Sequence, residues 1–382
     1  MRLSIKTALL LAASLAQAHP HPHAEPKALY VMRNTAENVV IGIPITANGM
    51  LAKGHATLTG GRGGNAPNGP NQPSGPDALF SQAPLTVAGE FIFAVNPGTN
   101  TLSVLKAHRA NPAILTVLAE PVPIPGEFPS TVAASVTNHL VCVGTTGAQA
   151  GISCTSFTED DGLGPFDTLR PYLLNQTTPP TGPPNTGVPG TNNTGFLSVF
   201  PVIRDGCRSN GSGSRATLGR HDTRSSFTSA PLLFGAAAIP SSNRIVVTDP
   251  TFGAAVLDVN PNTNKAALIS QTTIPGQQAK CWASYSPVGN SVIVTDANVN
   301  NLVELDAKDC AIVSIIDLPN QDPGYIDLKA AGGFVYALSP GNGTTEAAVV
   351  VFDVEEQKQI QHVGIGAFGA DRNAVGVVVL EL

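Results

Sequence analysis

The feature that most constrains this chain is a repeated pair of short apolar runs joined by a tight turn. It is seen in "ALYVMRN", "FIFAVNPGTNTLSVLKA", "HLVCVGTTGAQAGISCTSF", "RIVVTDPTFGAAVLDV", "SVIVTDANVNNLVELDA" and "FVYALSPGNGTTEAAVVVFDV". Each couples a strand, a Gly/Asn/Asp/Pro turn and a second strand of alternating polarity, the signature of a β-hairpin. From Phe93 onward the unit recurs about every 40 to 50 residues, the period of a four-stranded propeller blade. With Gly at 38 and Pro at 32 of 382 residues and only 13% charged, the chain favours many short strands over long helices.

Roughly 360 residues beyond the N-terminal segment, at about 50 per unit, predict a single all-β seven-bladed propeller over residues 29–382. A double sandwich is the competitor, but it does not require so long and even a period. One interval, from Val141 to Val246, is about twice the others. Within it "DGLGPFDTLRPYLLNQTTPPTGPPNTG" (161–187) brings Asp161, Asp167, Arg170 and Gln176 but no inner strand, so the fourth blade is expected to be incomplete. Insertions are expected near 52–80, where "TLTGGRGGNAPNGPNQPSGPD" (57–77) reads as mobile, and near 205–228.

Arg2, Lys6, the apolar "TALLLAASLA" and Ala16-Gln17-Ala18 predict a signal peptide over 1–18, followed by a flexible tail over 19–28. No later apolar run approaches the roughly twenty residues that span a bilayer. An extracellular protein, monomeric and without a membrane span, is the expectation. Asn175, Asn192, Asn210 and Asn342 open N-glycosylation sequons in turn-rich sequence. In an oxidising compartment the five cysteines suggest disulfides, Cys142 with Cys154 and Cys281 with Cys310, leaving Cys207 over. A net charge of −6 supplies no basic face for nucleic acid.

Several segments then look familiar: "TGGRGG", "DALFSQ", "GEFPSTVAAS", "DGLGPFDTLRPYLLNQTTPPTGP", "NNTGFLSVFPV", "KCWASYSP" and "FVYALSPGNGTT". They resemble the secreted fungal 3-carboxymuconate cyclase-like proteins, which are similar in turn to the lactonase-type seven-bladed propellers. The resemblance implies a cycloisomerase or lactonase acting on a small carboxylate or lactone in the central channel, without a cofactor. It also marks two departures: a strand expected after the Gln-Thr-Thr-Pro-Pro loop is missing, and "CRSNGSGSRATLGRH" (207–221) is extra. The His that the lactonases tend to carry in the loop matching "QTTPPTGP" is absent as well.

In a propeller the loops entering the innermost strands converge on one mouth of the channel. Reading back from those strands nominates Glu127 and Ser130, Gln176, Lys280 and Trp282, Tyr325 and Asp327, and Arg372 and Asn373. Closing a carboxymuconate ring needs cations to hold carboxylates and an acid to protonate carbon. Lys280 and Arg372 are the candidate clamps, and Glu127 or Tyr325 the proton carrier. Glu127 and Asp327 at the same mouth would leave its field near neutral, unfavourable for a trianion. A non-catalytic glycoprotein binding a host or cell-wall ligand through its loops is therefore kept as the alternative.

Other constellations point less far. "HPHPH" from His19 resembles a terminal copper site, but Pro20 removes the amide such a site uses, so no metal is expected. No "GxSxG" frame supports a hydrolase triad. His139 reads as a strand-edge residue, and Asp249 and Asp296, each in "VTD" at the turn after an inner strand, as turn caps.

Overall fold

A strand covered on both faces reads as an unbroken apolar run, whereas one bordering water alternates. That difference sorts the strands. In the computed structural model, which describes residues 26–67, 76–159, 162–183, 195–204 and 216–381, the runs Phe91–Asn96 and Ser291–Asp296 are buried at every position. Ala266–Thr273 and Ile312–Asp317 alternate between half-buried and exposed. The described residues form an all-β propeller with two short 3-10 turns, and none of their helices is long and apolar enough to cross a membrane.

Among the described residues six blades follow in chain order. The second runs from its innermost strand Leu85–Ala88 through Phe91–Asn96 and Thr101–His108 to Asn111–Val117. The third is built on Pro129–Ser135, Leu140–Thr145 and Gly151–Thr158. The fourth, fifth and sixth start at Ala236–Ala238, Lys280–Ser286 and Asp327–Ala331 and are four-stranded antiparallel sheets. The first blade takes its innermost strand from the far end of the chain. Val375–Glu381 pairs antiparallel with Pro26–Met32, aligning Val31 with Val377 and Leu29 with Val379. This closes the ring with main-chain hydrogen bonds that would otherwise be left unpaired.

The apolar hairpins that dominate the sequence are the second and third strands of each blade. The innermost strands are the less obvious runs before them, so Asp249 and Asp296 end second strands rather than innermost ones. The reason is exposure: middle strands are clamped between neighbouring blades, while innermost strands border the channel. A polar residue closes the second strand or the turn after it in all six blades: Asn34, Asn96, Thr145, Asp249, Asp296 and Ser339, all buried. Asp249 accepts from the Thr251 N–H of its own turn and from Leu232 N–H, 2.8 Å each, tying the turn to the loop that leads into the blade.

Between the third and fourth blades the described residues hold two two-stranded ladders in place of a full sheet. Leu197–Val199 pairs with Thr223–Ser225, and Val202–Arg204 with Ala216–Leu218. The opening stretch of this interval is anchored by Arg170. Its guanidinium grips the Asp167 carboxylate at 3.0 and 2.8 Å and donates to the carbonyls of Gly219 and Leu218. Gly60–Gly64, in the segment expected to be mobile, packs against the first blade: Asn34 exchanges hydrogen bonds with Gly64, and Gly63 N–H reaches Thr35 O at 2.7 Å.

Cys142 and Cys154 face each other across the third blade and are joined by a disulfide. Cys281 and Cys310 are not joined; both are buried free thiols. Antiparallel register explains it. Lys280 aligns with Asp296 at one end of the fifth blade, whereas Cys310 follows Asp306, which aligns with Ser291 at the other end. Asn175 and Asn342 are exposed. Cys207, Asn192, Asn210, Asp161, residues 1–18 and the His-Pro run lie outside the described residues.

Candidate functional site

The loops entering the innermost strands gather at one face of the ring, and the widest reach belongs to Asp77–Ala83 before the second blade. Ala78 and Leu79 of this loop are fully buried. Gln82 spans the channel: its amide donates to Ala283 O (3.0 Å) and accepts from Ala236 N–H (2.9 Å), while its carbonyl accepts from the Thr131 hydroxyl (2.8 Å). One side chain and its own main chain thus tie the third, fourth and fifth blades together. Below it the channel is a cavity of about 360 Å³ walled by Thr86, Ala237, Ser284 and Asp327. The "DALFSQ" run was visible in the sequence, but nothing local indicates that it crosses the axis.

Beside the plug lies a second cavity, about 260 Å³, between Asp77 and Phe80 on one side and Phe234, Pro250, Lys280, Cys281 and Ala297 on the other. Phe234 stacks on Trp282 with ring centroids 4.7 Å apart. Lys280, the expected anion clamp, is buried and already matched. Its Nζ stands 3.7 Å from Asp296 Oδ2 and 3.3 Å from Asn301 Oδ1. Asp296 is locked in turn by the N–H groups of Gln278, Ala279 and Asn298 at 2.9 to 3.0 Å. Burial lowers the Lys280 pKa, with Asp296 opposing. A cation so paired has little capacity left for a substrate carboxylate.

Asp77 contributes the opposite chemistry. Its Oδ1 accepts from Leu79 N–H at 3.3 Å, and Oδ2 is buried with no partner. Burial first, and then the charge of Asp327, push its pKa well above the usual range. Backbone N–H groups of the same loop oppose that rise, so burial is what favours the protonated form of Asp77. The thiol of Cys281, on the same wall, donates to Ala279 O, and burial raises its pKa strongly. It has none of the thiolate character a nucleophile needs.

The other nominated residues are dispersed. Tyr325 is buried in a polar network joining the fifth and sixth blades: its hydroxyl donates to Asn300 Oδ1 and accepts from Asn320 Nδ2, both at 2.8 Å, near an Asp322 that also holds His362 Nε2 at 3.0 Å. Burial raises its pKa. Glu127 is engaged by Gln149 and the Thr178 hydroxyl. Gln176 folds back on its own loop, meeting Pro183 O and Thr181 N–H. Arg372 is half-buried in the loop entering the first blade. The innermost strand of the sixth blade stands between it and Lys280. Asn373 N–H bonds to Asp371 within that loop. Ser130 lies elsewhere, in the wall of a third cavity. Among the described residues no group of three or more His, Cys, Asp or Glu could hold a metal ion.

Asp327 is a strut between innermost strands. Oδ1 accepts from Leu328 N–H (2.8 Å) and Oδ2 from Val377 N–H (3.0 Å) of the first blade. Burial nevertheless raises its pKa from 3.8 to about 7. The sign of the consequence follows: between these values the unfolded chain has released a proton that the folded chain retains, so stability falls as pH rises. The loss is at most about 4 kcal/mol at 1.36 kcal/mol per unit. Urea unfolding between pH 4 and 7 should show wild-type stability declining relative to Asp327→Asn; parallel profiles would mean that Asp327 is ionised throughout.

The fold and site define a β-propeller with a plugged channel and, at its mouth, a largely apolar pocket lined by one buried carboxyl group, Asp77, outside the Lys280–Asp296 pair. No family model matches the sequence, and no curated protein does. Among solved structures, a functionally unknown protein from Desulfotomaculum acetoxidans has a TM-score of 0.55 at 12% identity, covering 93% of this chain and 99% of that one. That likeness concerns the fold. A chain of a nidogen/laminin complex gives 0.48 at 8% identity, covering 92% of this chain and 98% of its own. A proposed 6-phosphogluconolactonase from Bacteroides uniformis gives 0.43 at 14%, covering 90% and 84%.

Proposed function

We propose that this chain is an exported glycoprotein that binds a small uncharged carbonyl compound, of which a lactone is the type, at the mouth of its propeller, and that it does not cyclise carboxymuconate. One observation carries the reading: the mouth pocket pairs its buried cation, Lys280, with Asp296 and adds a second acid, Asp77, whose Oδ2 has no partner. Among the described residues a trianion would meet no unmatched buried cation there, and it would give up its hydration to a largely apolar wall. A carbonyl oxygen would instead accept from the neutral Asp77, with Phe80, Phe234 and the prolines covering its apolar body. The thiol beside it has its pKa raised, which favours binding over acyl transfer.

Export is supported by the Arg2 to Ala18 sequence, glycosylation by the exposed Asn175 and Asn342, and an oxidising compartment by the Cys142–Cys154 disulfide. A seventh, reduced blade in the interval between the third and fourth is supported by the doubled spacing and the two short ladders.

The chain has one tryptophan, Trp282, stacked on a residue of the pocket wall, so its fluorescence reports on this site. Titration with γ-heptalactone should change that fluorescence saturably. Asp77→Ala should weaken binding about fivefold, the loss of one ordinary hydrogen bond, while Asp77→Asn, whose amide still donates, should retain it. Absence of a saturable change would overturn the reading. So would enzyme-dependent loss of diene absorbance from 3-carboxy-cis,cis-muconate that disappears in a folded Lys280→Met variant, because it would restore the cyclase.

A further inference from the structure

The interval between the third and fourth blades holds a cleft of about 600 Å³. On one side runs the segment 167–171, in which Arg170 and Pro171 pair with Ile152 and Gly151 at the edge of the third blade. On the other stands the ladder of Val202–Arg204 with Ala216–Leu218. Arg170, buried between them, donates to the carbonyls of Leu218 and Gly219 and so fixes the two sides to each other. The cleft shares no lining residue with the pocket at the mouth.

Register decides which side chains of the ladder face the cleft. Ile203 lies directly across from Thr217 in the antiparallel pair, so the two project from the same face, and both line the cleft. Ile203 is 49% exposed; with Leu169 and Pro171 opposite, it gives the cleft apolar walls. Charge is distributed differently. Asp167 is the one carboxylate among the lining residues, and Arg170 grips it at 3.0 and 2.8 Å. That pair cancels. Arg220 remains, exposed and with no hydrogen bond or ion pair among the described residues, next to the exposed imidazole of His221. The cleft therefore carries an unmatched positive charge in a chain of net charge −6. At the mouth the reverse holds: the cation is matched and a carboxyl group is extra.

We infer that this cleft is a second binding site, for an organic monoanion whose carboxylate or sulfonate head pairs with Arg220 and whose apolar body lies along Ile203, Leu169 and Pro171. Charge sets the head. One unmatched cation suits one anionic group, whereas a polyanion would bring its further charges against apolar walls and the Asp167 carboxylate. Volume sets the body. Measured against about 30 Å³ per water, the cleft takes about twenty non-hydrogen atoms.

The test uses two fluorescent probes on the full chain: 8-anilinonaphthalene-1-sulfonate, which matches the cleft in size and carries one anionic head, and N-phenyl-1-naphthylamine, the same body without it. Wild type should raise the fluorescence of the sulfonate saturably. Arg220→Gln should weaken that binding about fivefold, the effect of one exposed ion pair, and leave the uncharged amine unchanged. Ile203→Asp, on the ladder face, should weaken both about tenfold while circular dichroism stays that of the wild type. Asp77→Ala, in the mouth pocket, should change neither. Equal sulfonate binding by wild type, Arg220→Gln and a folded Ile203→Asp would overturn the inference, as would no saturable binding to wild type. So would a loss in Asp77→Ala instead of Arg220→Gln, which would place the probe at the mouth, or an equal loss of both probes in Arg220→Gln, which would mean that charge is not what the cleft recognises.

Discussion

Asp296→Ala should destabilise the fold by about 3 to 5 kcal/mol, the range for removing one partner of a buried ion pair. Lys280 is about 1% exposed and Asp296 not at all, so water cannot replace the lost carboxylate. The variant also orphans the N–H groups of Gln278, Ala279 and Asn298, which now converge on it. The damage should concentrate where the fifth blade meets the mouth. A double replacement, Asp296→Leu with Lys280→Met, should recover much of the loss, because removing both charges also removes their desolvation. Urea unfolding of the single and double variants decides it. A loss under about 1 kcal/mol for Asp296→Ala would mean that Lys280 is hydrated, which would return it to the role of an anion clamp.

Trp282→Ala has a comparable expected cost, about 3 to 5 kcal/mol, from deleting the largest fully buried side chain. Part of it is the stacked contact with Phe234, worth about 0.5 to 1.5 kcal/mol in such pairs. Since Trp282 and Phe234 hold the apolar wall of the mouth pocket, lactone binding should be lost with the packing. Circular dichroism must follow the unfolding, because the fluorophore is gone. Trp282→Phe, which keeps an aromatic face, should lose clearly less. Equal losses for Phe and Ala would indicate that the stack adds nothing beyond volume.

The fate of the nominated residues separates two kinds of information. "VTDA" and "AKCW" each predict a strand end, and each is one, but that Asp296 and Lys280 meet depends on the register of two strands separated by a turn. Tyr325 sits in "GYID", directly before an innermost strand as expected. Its hydroxyl is nonetheless taken by Asn300 and Asn320 at the seam between the fifth and sixth blades, and a residue's place before a strand says nothing about which side of the sheet its ring takes. Cys281 and Cys310 lie one repeat apart, which suggested a bridge; antiparallel pairing puts them at opposite ends of one blade.

By itself, then, the sequence determined the all-β hairpin repeat, the propeller class, the doubled interval and the Cys142–Cys154 bridge, because these follow from local periodicity and from pairing across a single turn. Only the tertiary structure decided which strand of each blade is innermost, that Gln82 closes the channel, that Lys280 is matched by Asp296, and that one carboxyl oxygen of Asp77 is buried without a partner. Those facts depend on contacts across blades, on burial and on charge neutralisation between residues far apart in the chain, none of which leaves a periodic trace in the order of the amino acids.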